Sequence, residues 1–261
     1  MRSPALFLAL LAAASACGAP RAAPLPVGYQ VVRTFPHDPT AYTQGLLLAD
    51  TMLYESTGVY GESEVRIVDL TTGQVRKSVE LADTRFGEGL TLLAGRLYQL
   101  TWESEIGYVY DAATLAPVDS FRYTGPGWGL ANDGSSLIMS DGSDTLRFLD
   151  PRTFEVTRRL AVTFSTGAPA ARLNELEYIG GELFANVYQS DWILRIDLRD
   201  GKVREVLDFS ALPEKAKERA PAEEVLNGIA FDPRTSHLLL TGKRWSTLFE
   251  IALKDPPGIR P

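Results

Sequence analysis

Phe86-Gly87-Glu88-Gly89-Leu90-Thr91-Leu92-Leu93-Ala94-Gly95-Arg96-Leu97-Tyr98 reads as a short apolar strand, a tight turn and a second apolar strand, headed by one carboxylate between two glycines. Glycine lacks a Cβ and permits backbone dihedrals that other residues avoid. Glu88 is therefore expected at a sharp turn into the strand, its side chain directed at whatever that turn faces. Taken alone, the motif is an ordinary glycine-rich turn with a solvated glutamate. It gains weight because it recurs. Gly45-Leu46-Leu47-Leu48 turns through Asp50-Thr51 to Met52-Leu53-Tyr54, and Gly129-Leu130 turns through Asn132-Asp133-Gly134 to Leu137-Ile138. Glu175-Leu176 leads through Gly180-Gly181 to Leu183-Phe184, and Gly228-Ile229 through Asp232-Pro233-Arg234 to Leu238-Leu239. This is hairpin grammar.

A second half-repeat follows each of the first four hairpins: an apolar pair ending in Asp, a turn, then an alternating strand. The copies are Ile67-Val68-Asp69, Val109-Tyr110-Asp111, Phe148-Leu149-Asp150 and Ile196-Asp197, with closing strands at 74–81, 116–123, 155–163 and 202–209. Four strands per unit at a period of roughly 40–53 residues describe propeller blades. The fifth unit reaches its third strand at 247–253 and then meets Pro256-Pro257. Tyr29-Gln30-Val31-Val32-Arg33-Thr34-Phe35 has the look of the missing fourth strand. The expected fold is all-β: a five-bladed β-propeller over 28–256, its last blade closed by the N-terminal strand, with a short tail at 257–261. Closure removes the unpaired edges that template aggregation. One helix is expected, at 211–219 in the longest inter-blade connection. Ser210 would cap it and Pro213 would sit in its first turn. It reads either as a solvated surface turn or as a flap over the tunnel mouth.

The first 17 residues read as an export signal: Arg2, an apolar core from Ala5 to Ala14 too short to span a bilayer, then Ala14-Ser15-Ala16-Cys17. Cys17 is the sole cysteine and stands where a bacterial lipobox places the lipidated residue, although Ala14 occupies the usual Leu position. Lipidation of Cys17 and plain cleavage after Ala16 are the two readings. The first makes the protein periplasmic and anchored to the envelope, with 18–27 as an Ala/Pro-rich tether. A single cysteine allows no internal disulfide, so the fold must rest on its core. The net charge of −7 and the lack of a Lys/Arg cluster argue against a nucleic-acid partner.

In a propeller the innermost strands line the axis, and the loops leading into them open on one face. The residues just ahead of the repeated glycine, or its equivalent, are Gln44, Glu88, Trp128, Asn174 and Asn227. A second ring, at the end of each hairpin, holds Gly58, Trp102, Gly142, Tyr188 and Lys243, with Tyr42 and Phe86 two residues upstream of their slots. Singly, a Trp is usually core, a Lys solvated and an Asn beside Gly a turn former. In register they describe one aromatic pocket with a few convergent polar groups, which is how small-molecule and side-chain sites are built. The only histidines are His37, in a loop that looks like a brace, and His237, in the fifth hairpin. No zinc spacing, GxSxG elbow or phosphate loop is present. Acid–base work by Glu88, assisted by amides and Lys243, is what remains.

Phe35-Pro36-His37-Asp38-Pro39, Tyr42-Thr43-Gln44-Gly45-Leu46, Phe86-Gly87-Glu88-Gly89-Leu90, Leu100-Thr101-Trp102, Gly127-Trp128-Gly129, Leu173-Asn174-Glu175-Leu176-Glu177, Leu226-Asn227-Gly228-Ile229 and Thr241-Gly242-Lys243, in this order, resemble the plant-type glutaminyl cyclases of plants and bacteria. The resemblance runs from about Val31 to Leu253. It implies a five-bladed propeller that converts the N-terminal Gln of peptides and proteins to pyroglutamate with release of ammonia. It implies Glu88 as acid and base, with Gln44, Asn174 and Lys243 as polar partners. Phe86, Trp102 and Trp128 would be pocket walls, and Tyr42, Tyr188 and Asn227 would bind substrate beside them. Tyr42 stands where Phe is usual and Tyr188 where Trp is common, two departures that bear on pocket size. No cofactor is required by such a reaction. Some members of that family hold a structural metal ion in the central tunnel, for which no ligands stand out here.

A monomer is expected. Aromatic burial should raise the pKa of Glu88 toward its working range. Two other readings stay open: a non-catalytic propeller that grips exported peptides or cell-wall fragments, and a calcium-dependent lactonase. The second needs several axial carboxylates, where the first ring supplies one.

Overall fold

The computed structural model describes residues 28–212 and 225–257. Among these residues twenty strands form five antiparallel four-stranded sheets. The first blade runs β2 (Thr43–Ala49), β3 (Met52–Thr57), β4 (Glu64–Asp69) and β5 (Val75–Glu80) from the inside out. The second is β6 (Gly87–Leu93), β7 (Arg96–Thr101), β8 (Ile106–Asp111) and β9 (Pro117–Arg122). The third is β10 (Leu130–Asn132), β11 (Leu137–Met139), β12 (Thr145–Leu149) and β13 (Val156–Ala161). The fourth is β14 (Leu173–Ile179), β15 (Glu182–Val187), β16 (Trp192–Asp197) and β17 (Lys202–Asp208). The last is β18 (Leu226–Asp232), β19 (His237–Gly242) and β20 (Thr247–Leu253), completed by β1 (Tyr29–Pro36).

The expected closure is present: β1 pairs antiparallel with β20, Tyr29 opposite Leu253 and Pro36 opposite Thr247. His37 braces the seam. Its Nδ1 lies 2.6 Å from the Trp245 carbonyl of the last blade and its Nε2 lies 3.0 Å from Glu55 Oε1 of the first. Arg66 Nε donates to the other Glu55 oxygen at 2.9 Å. Burial pushes the Glu55 carboxyl up, but the charges of His37 and Arg66 outweigh it and hold the group well below the usual carboxylate range. The export signal, Cys17 and the tether lie outside the described residues. Of the expected helix, Ala211 and Leu212 form a turn and a bend, and the rest also lies outside the described residues.

The core lies between blades. Each of five apolar clusters joins two neighbouring sheets; one packs Leu47, Val65 and Ile67 against Leu90, Leu97 and Tyr110. The outermost strands β5, β9 and β13 are almost wholly solvated, whereas the inner strands are buried along most of their length. The repeated glycine is explained at the axis. A Cβ on Gly89 would lie 2.4 Å from Leu130 N, and one on Gly129 would lie 1.9 Å from Asn174 O. Neighbouring inner strands therefore approach backbone to backbone. The fourth blade carries Glu175 in this position, and its carboxylate crosses the axis to accept N–H bonds from Ile229 (2.9 Å) and Leu46 (3.3 Å). One long side chain thus links the inner strands of three blades. Gly129→Ala is expected to lower stability by ~1–3 kcal/mol, because the obstacle is backbone that cannot swing aside. Thermal unfolding checks this, and an unchanged midpoint would contradict the close approach.

Candidate active site

Four of the five inner-ring slots share one backbone device. The pairing of β2 with β3 slips between Thr43 and Gly45, that of β6 with β7 between Gly87 and Leu90, that of β14 with β15 between Leu173 and Leu176, and that of β18 with β19 between Leu226 and Ile229. Gln44, Glu88, Asn174 and Asn227 sit in these bulges. A bulge adds an unpaired residue and re-aims its side chain. This corrects the expected turn. Glu88 lies inside β6, and neither Gly87 nor Gly89 has a positive φ. The glycines are required by crowding, since a Cβ on Gly87 would lie 2.4 Å from Thr57 O.

Nine of the ten side chains singled out from the sequence line one cavity of about 330 Å³: Tyr42, Gln44, Phe86, Glu88, Trp102, Trp128, Asn174, Tyr188 and Lys243. Phe86 meets Tyr42 and Trp102 edge to face, with ring centroids 6.0 and 5.7 Å away, and Trp128 meets Tyr188 likewise at 5.3 Å. Gly58 and Gly142, the two slots of the second ring without a side chain, make these walls feasible. A Cβ on Gly58 would lie 2.2 Å from the Phe86 ring, and one on Gly142 would lie 2.7 Å from the Trp128 ring.

Asn227 is the exception. It is fully buried and stands behind the cavity, where its Nδ2 donates to Thr43 O at 2.9 Å and to Gln44 Oε1 at 3.2 Å. Gln44 Nε2 in turn donates to Glu88 Oε1 at 2.9 Å. Asn227 therefore orients Gln44, and Gln44 holds Glu88. The backbone of Glu88 is fixed as well. Its carbonyl accepts Ser56 Oγ at 2.5 Å, Ser56 Oγ accepts Gln99 Nε2 at 2.7 Å, and Gln99 Oε1 accepts the Tyr110 hydroxyl at 2.9 Å. These supporting residues lie mid-strand in the sequence with no mark of their role.

Of the residues lining the cavity, Glu88 is the carboxyl that burial perturbs. Burial drives its carboxyl upward and the charge of Lys243 opposes this, leaving the pKa well above the ordinary 4.5. Lys243 is itself buried, its Nζ 4.6 Å from the centroid of Tyr42 and 5.1 Å from that of Tyr188. Two electron-rich ring faces stabilise a cation there. Asn174 Oδ1 is buried with no hydrogen-bond partner among the described residues. Such an acceptor calls for a donor from outside the protein. The arrangement offers a carboxyl held well above the ordinary carboxylate range, a positive charge, an unmet acceptor and flat apolar walls. His237 pairs with Glu250 at 2.7 Å, away from this cavity.

The tunnel offers few side-chain ligands for a metal ion among the described residues. Among the described residues no group of three or more His, Cys, Asp or Glu could hold one. Both Glu175 oxygens are occupied by backbone N–H groups. Glu177, two residues on, is pushed up to about 8 by burial, against the pull of the Phe231 N–H.

The sequence profile of one family, described as glutamine cyclotransferase, matches residues 4–253. A glutaminyl-peptide cyclotransferase of Arabidopsis thaliana is 47% identical over 229 residues, which span 87% of this chain and 71% of that protein. The crystal structure of Myxococcus xanthus glutaminyl cyclase superposes with a TM-score of 0.82 at 34% identity, covering 88% of this chain and 98% of that one.

Proposed function

The chain belongs to the glutamine cyclotransferase family, and on that membership we infer that it is a glutaminyl cyclase, turning N-terminal Gln into pyroglutamate with loss of ammonia. The observation that carries the reading to individual residues is one buried carboxyl, Glu88, walled by aromatic rings and faced by Lys243 in a cavity of about 330 Å³.

The substrate's neutral α-amine attacks its own γ-carboxamide carbon. A bond forms between that nitrogen and carbon, and the carbonyl π electrons move onto oxygen. The rings of Phe86, Trp102 and Trp128 hold the side chain curled so that nitrogen and carbon meet. Such positioning can be worth ~7–11 kcal/mol when ideal. The attacking nitrogen then carries one proton too many. Glu88, as carboxylate, takes it and passes it to the departing amide nitrogen, so the C–N bond breaks to release neutral NH₃ and the carboxylate is restored. One carboxylate between the two nitrogens does both transfers. Lys243 stabilises the charge on the γ-oxygen. Asn174 Oδ1 accepts an N–H of the substrate. Gln44, braced by Asn227, keeps Glu88 aimed, so among the three polar partners its part is positioning.

These steps use no metal or cofactor. A Gln-initiated peptide is therefore expected to release ammonia and gain a blocked N-terminus equally with and without a chelator. Silence in both arms would return the non-catalytic peptide binder to favour, and loss in the chelated arm alone would restore a metal to the scheme. The N-terminal composition supports export, with Cys17 lipidated in the bacterial envelope and the enzyme working there as a monomer; palmitate labelling that survives Cys17→Ser would refute the anchor.

A further inference from the structure

The cavity accounts for the reacting residue and leaves the rest of the peptide unaccounted for. About 330 Å³ lies at the small end of ligand cavities, ~300–1,000 Å³. With its amine and carboxamide beside Glu88, the glutaminyl residue must send its own carbonyl, and everything bonded to it, out through the mouth. On the Phe86 side the wall continues past the cavity in one residue, Tyr60. Its ring centroid is 5.4 Å from that of Phe86, edge to face, yet Tyr60 is not among the residues lining the cavity and is 50% exposed.

A single exposed aromatic residue needs no explanation by itself. Tyr60 differs in how firmly it is presented. The residue before it, Val59, has φ 87°, a left-handed conformation that is costly for a β-branched side chain and is kept only where the surroundings enforce it. Two bonds do so: Ser63 Oγ and Glu62 N both donate to Val59 O, at 2.7 and 3.1 Å. Ser63 Oγ also accepts Gly87 N at 3.0 Å, which ties the loop to the residue preceding Glu88. Gly58 N donates to Tyr42 O at 2.8 Å, which ties it to the ring neighbour of Phe86 in the cavity wall. The loop that carries Tyr60 is thus tied to the reacting centre, and its half-exposed ring stands against Phe86.

We propose that Tyr60 is a specificity-determining residue: its ring, set outside the cavity beside Phe86, receives the side chain of the second substrate residue and favours an aromatic one there. The proposal rests on the cyclase reading. An aromatic second residue gains a ring partner at this position, whereas glycine gains nothing. The test compares kcat/KM for Gln-Phe-amide and Gln-Gly-amide in the wild type, Tyr60→Ala and Tyr60→Phe. Tyr60→Ala is expected to cost about three- to tenfold on Gln-Phe-amide, through KM, and less than twofold on Gln-Gly-amide, while Tyr60→Phe keeps both. Equal losses on both peptides would make Tyr60 a mere prop for Phe86 and overturn the proposal, as would an unchanged rate on Gln-Phe-amide. A wild type inert toward both peptides would overturn the cyclase reading itself, and this inference with it.

Discussion

Glu88→Gln is expected to lower kcat by ~10²–10⁴-fold while substrate still binds, because the amide keeps the shape of the side chain and loses the capacity to accept a proton. Gln44 Nε2 donates to Glu88 Oε1 at 2.9 Å, and an amide oxygen can take that same bond, so the cavity should keep its form. Calorimetric titration of the variant with a Gln peptide measures the binding that remains. A variant that turns over at the wild-type rate would remove Glu88 from the mechanism. The pH profile gives a second check. Glu88 must be ionised to take the proton, and burial holds its pKa well above 4.5. Ionisation therefore grows as pH rises, and kcat/KM should climb through a limb centred well above 4.5. In Glu88→Gln that limb should vanish, leaving the titration of the substrate amine.

Lys243→Met should cost ~10²–10³-fold in kcat, the usual effect of removing one group that stabilises a developing oxyanion. Met keeps most of the aliphatic length against Tyr42 and Tyr188, so packing is largely preserved. The profile should move as well as fall. Lys243 is the charge that opposes the upward push of burial on Glu88. Without it the carboxylate is harder to form, and the acid limb shifts to higher pH. A lower rate with an unmoved limb would confine Lys243 to the oxyanion. A moved limb with an unchanged maximal rate would confine it to tuning Glu88.

The blades were legible because a hairpin is a local event. Apolar strand, turn and apolar strand lie within a dozen residues, and five copies put the axis where their heads coincide. Phe86, Trp102 and Trp128 could be placed around one pocket by register alone, with no knowledge of contacts. What register could not show depends on distances between blades. Asn227 occupies a ring slot like any other, and only the approach of β18 to β2 puts it behind Gln44. The glycines flanking Glu88 look like turn residues; crowding by Thr57 and Leu130, far away in the chain, is what requires them. Glu175 looked like a hairpin residue standing in for glycine, and its span across the axis to Leu46 and Ile229 has no local signature. Tyr60 belongs to no repeat position, and its tie to Phe86 appears only once the loop is folded.

The pairing of Tyr29 with Leu253 and of Pro36 with Thr247 sets the order of events during synthesis. A chain leaving the ribosome makes its first strand more than two hundred residues before the partner of that strand exists. Four blades can assemble in turn, but the latch snaps shut last, and until then β1 and the rim of the first sheet wait uncovered. A fragment lacking β1 or β20 has a fifth blade short of a strand and a ring without its seam. The same latch brings the first and last described stretches of the chain side by side, Lys254 N donating to Gly28 O at 2.9 Å. A permuted gene joined there and reopened between two other blades would encode the same molecule with its waiting strand relieved.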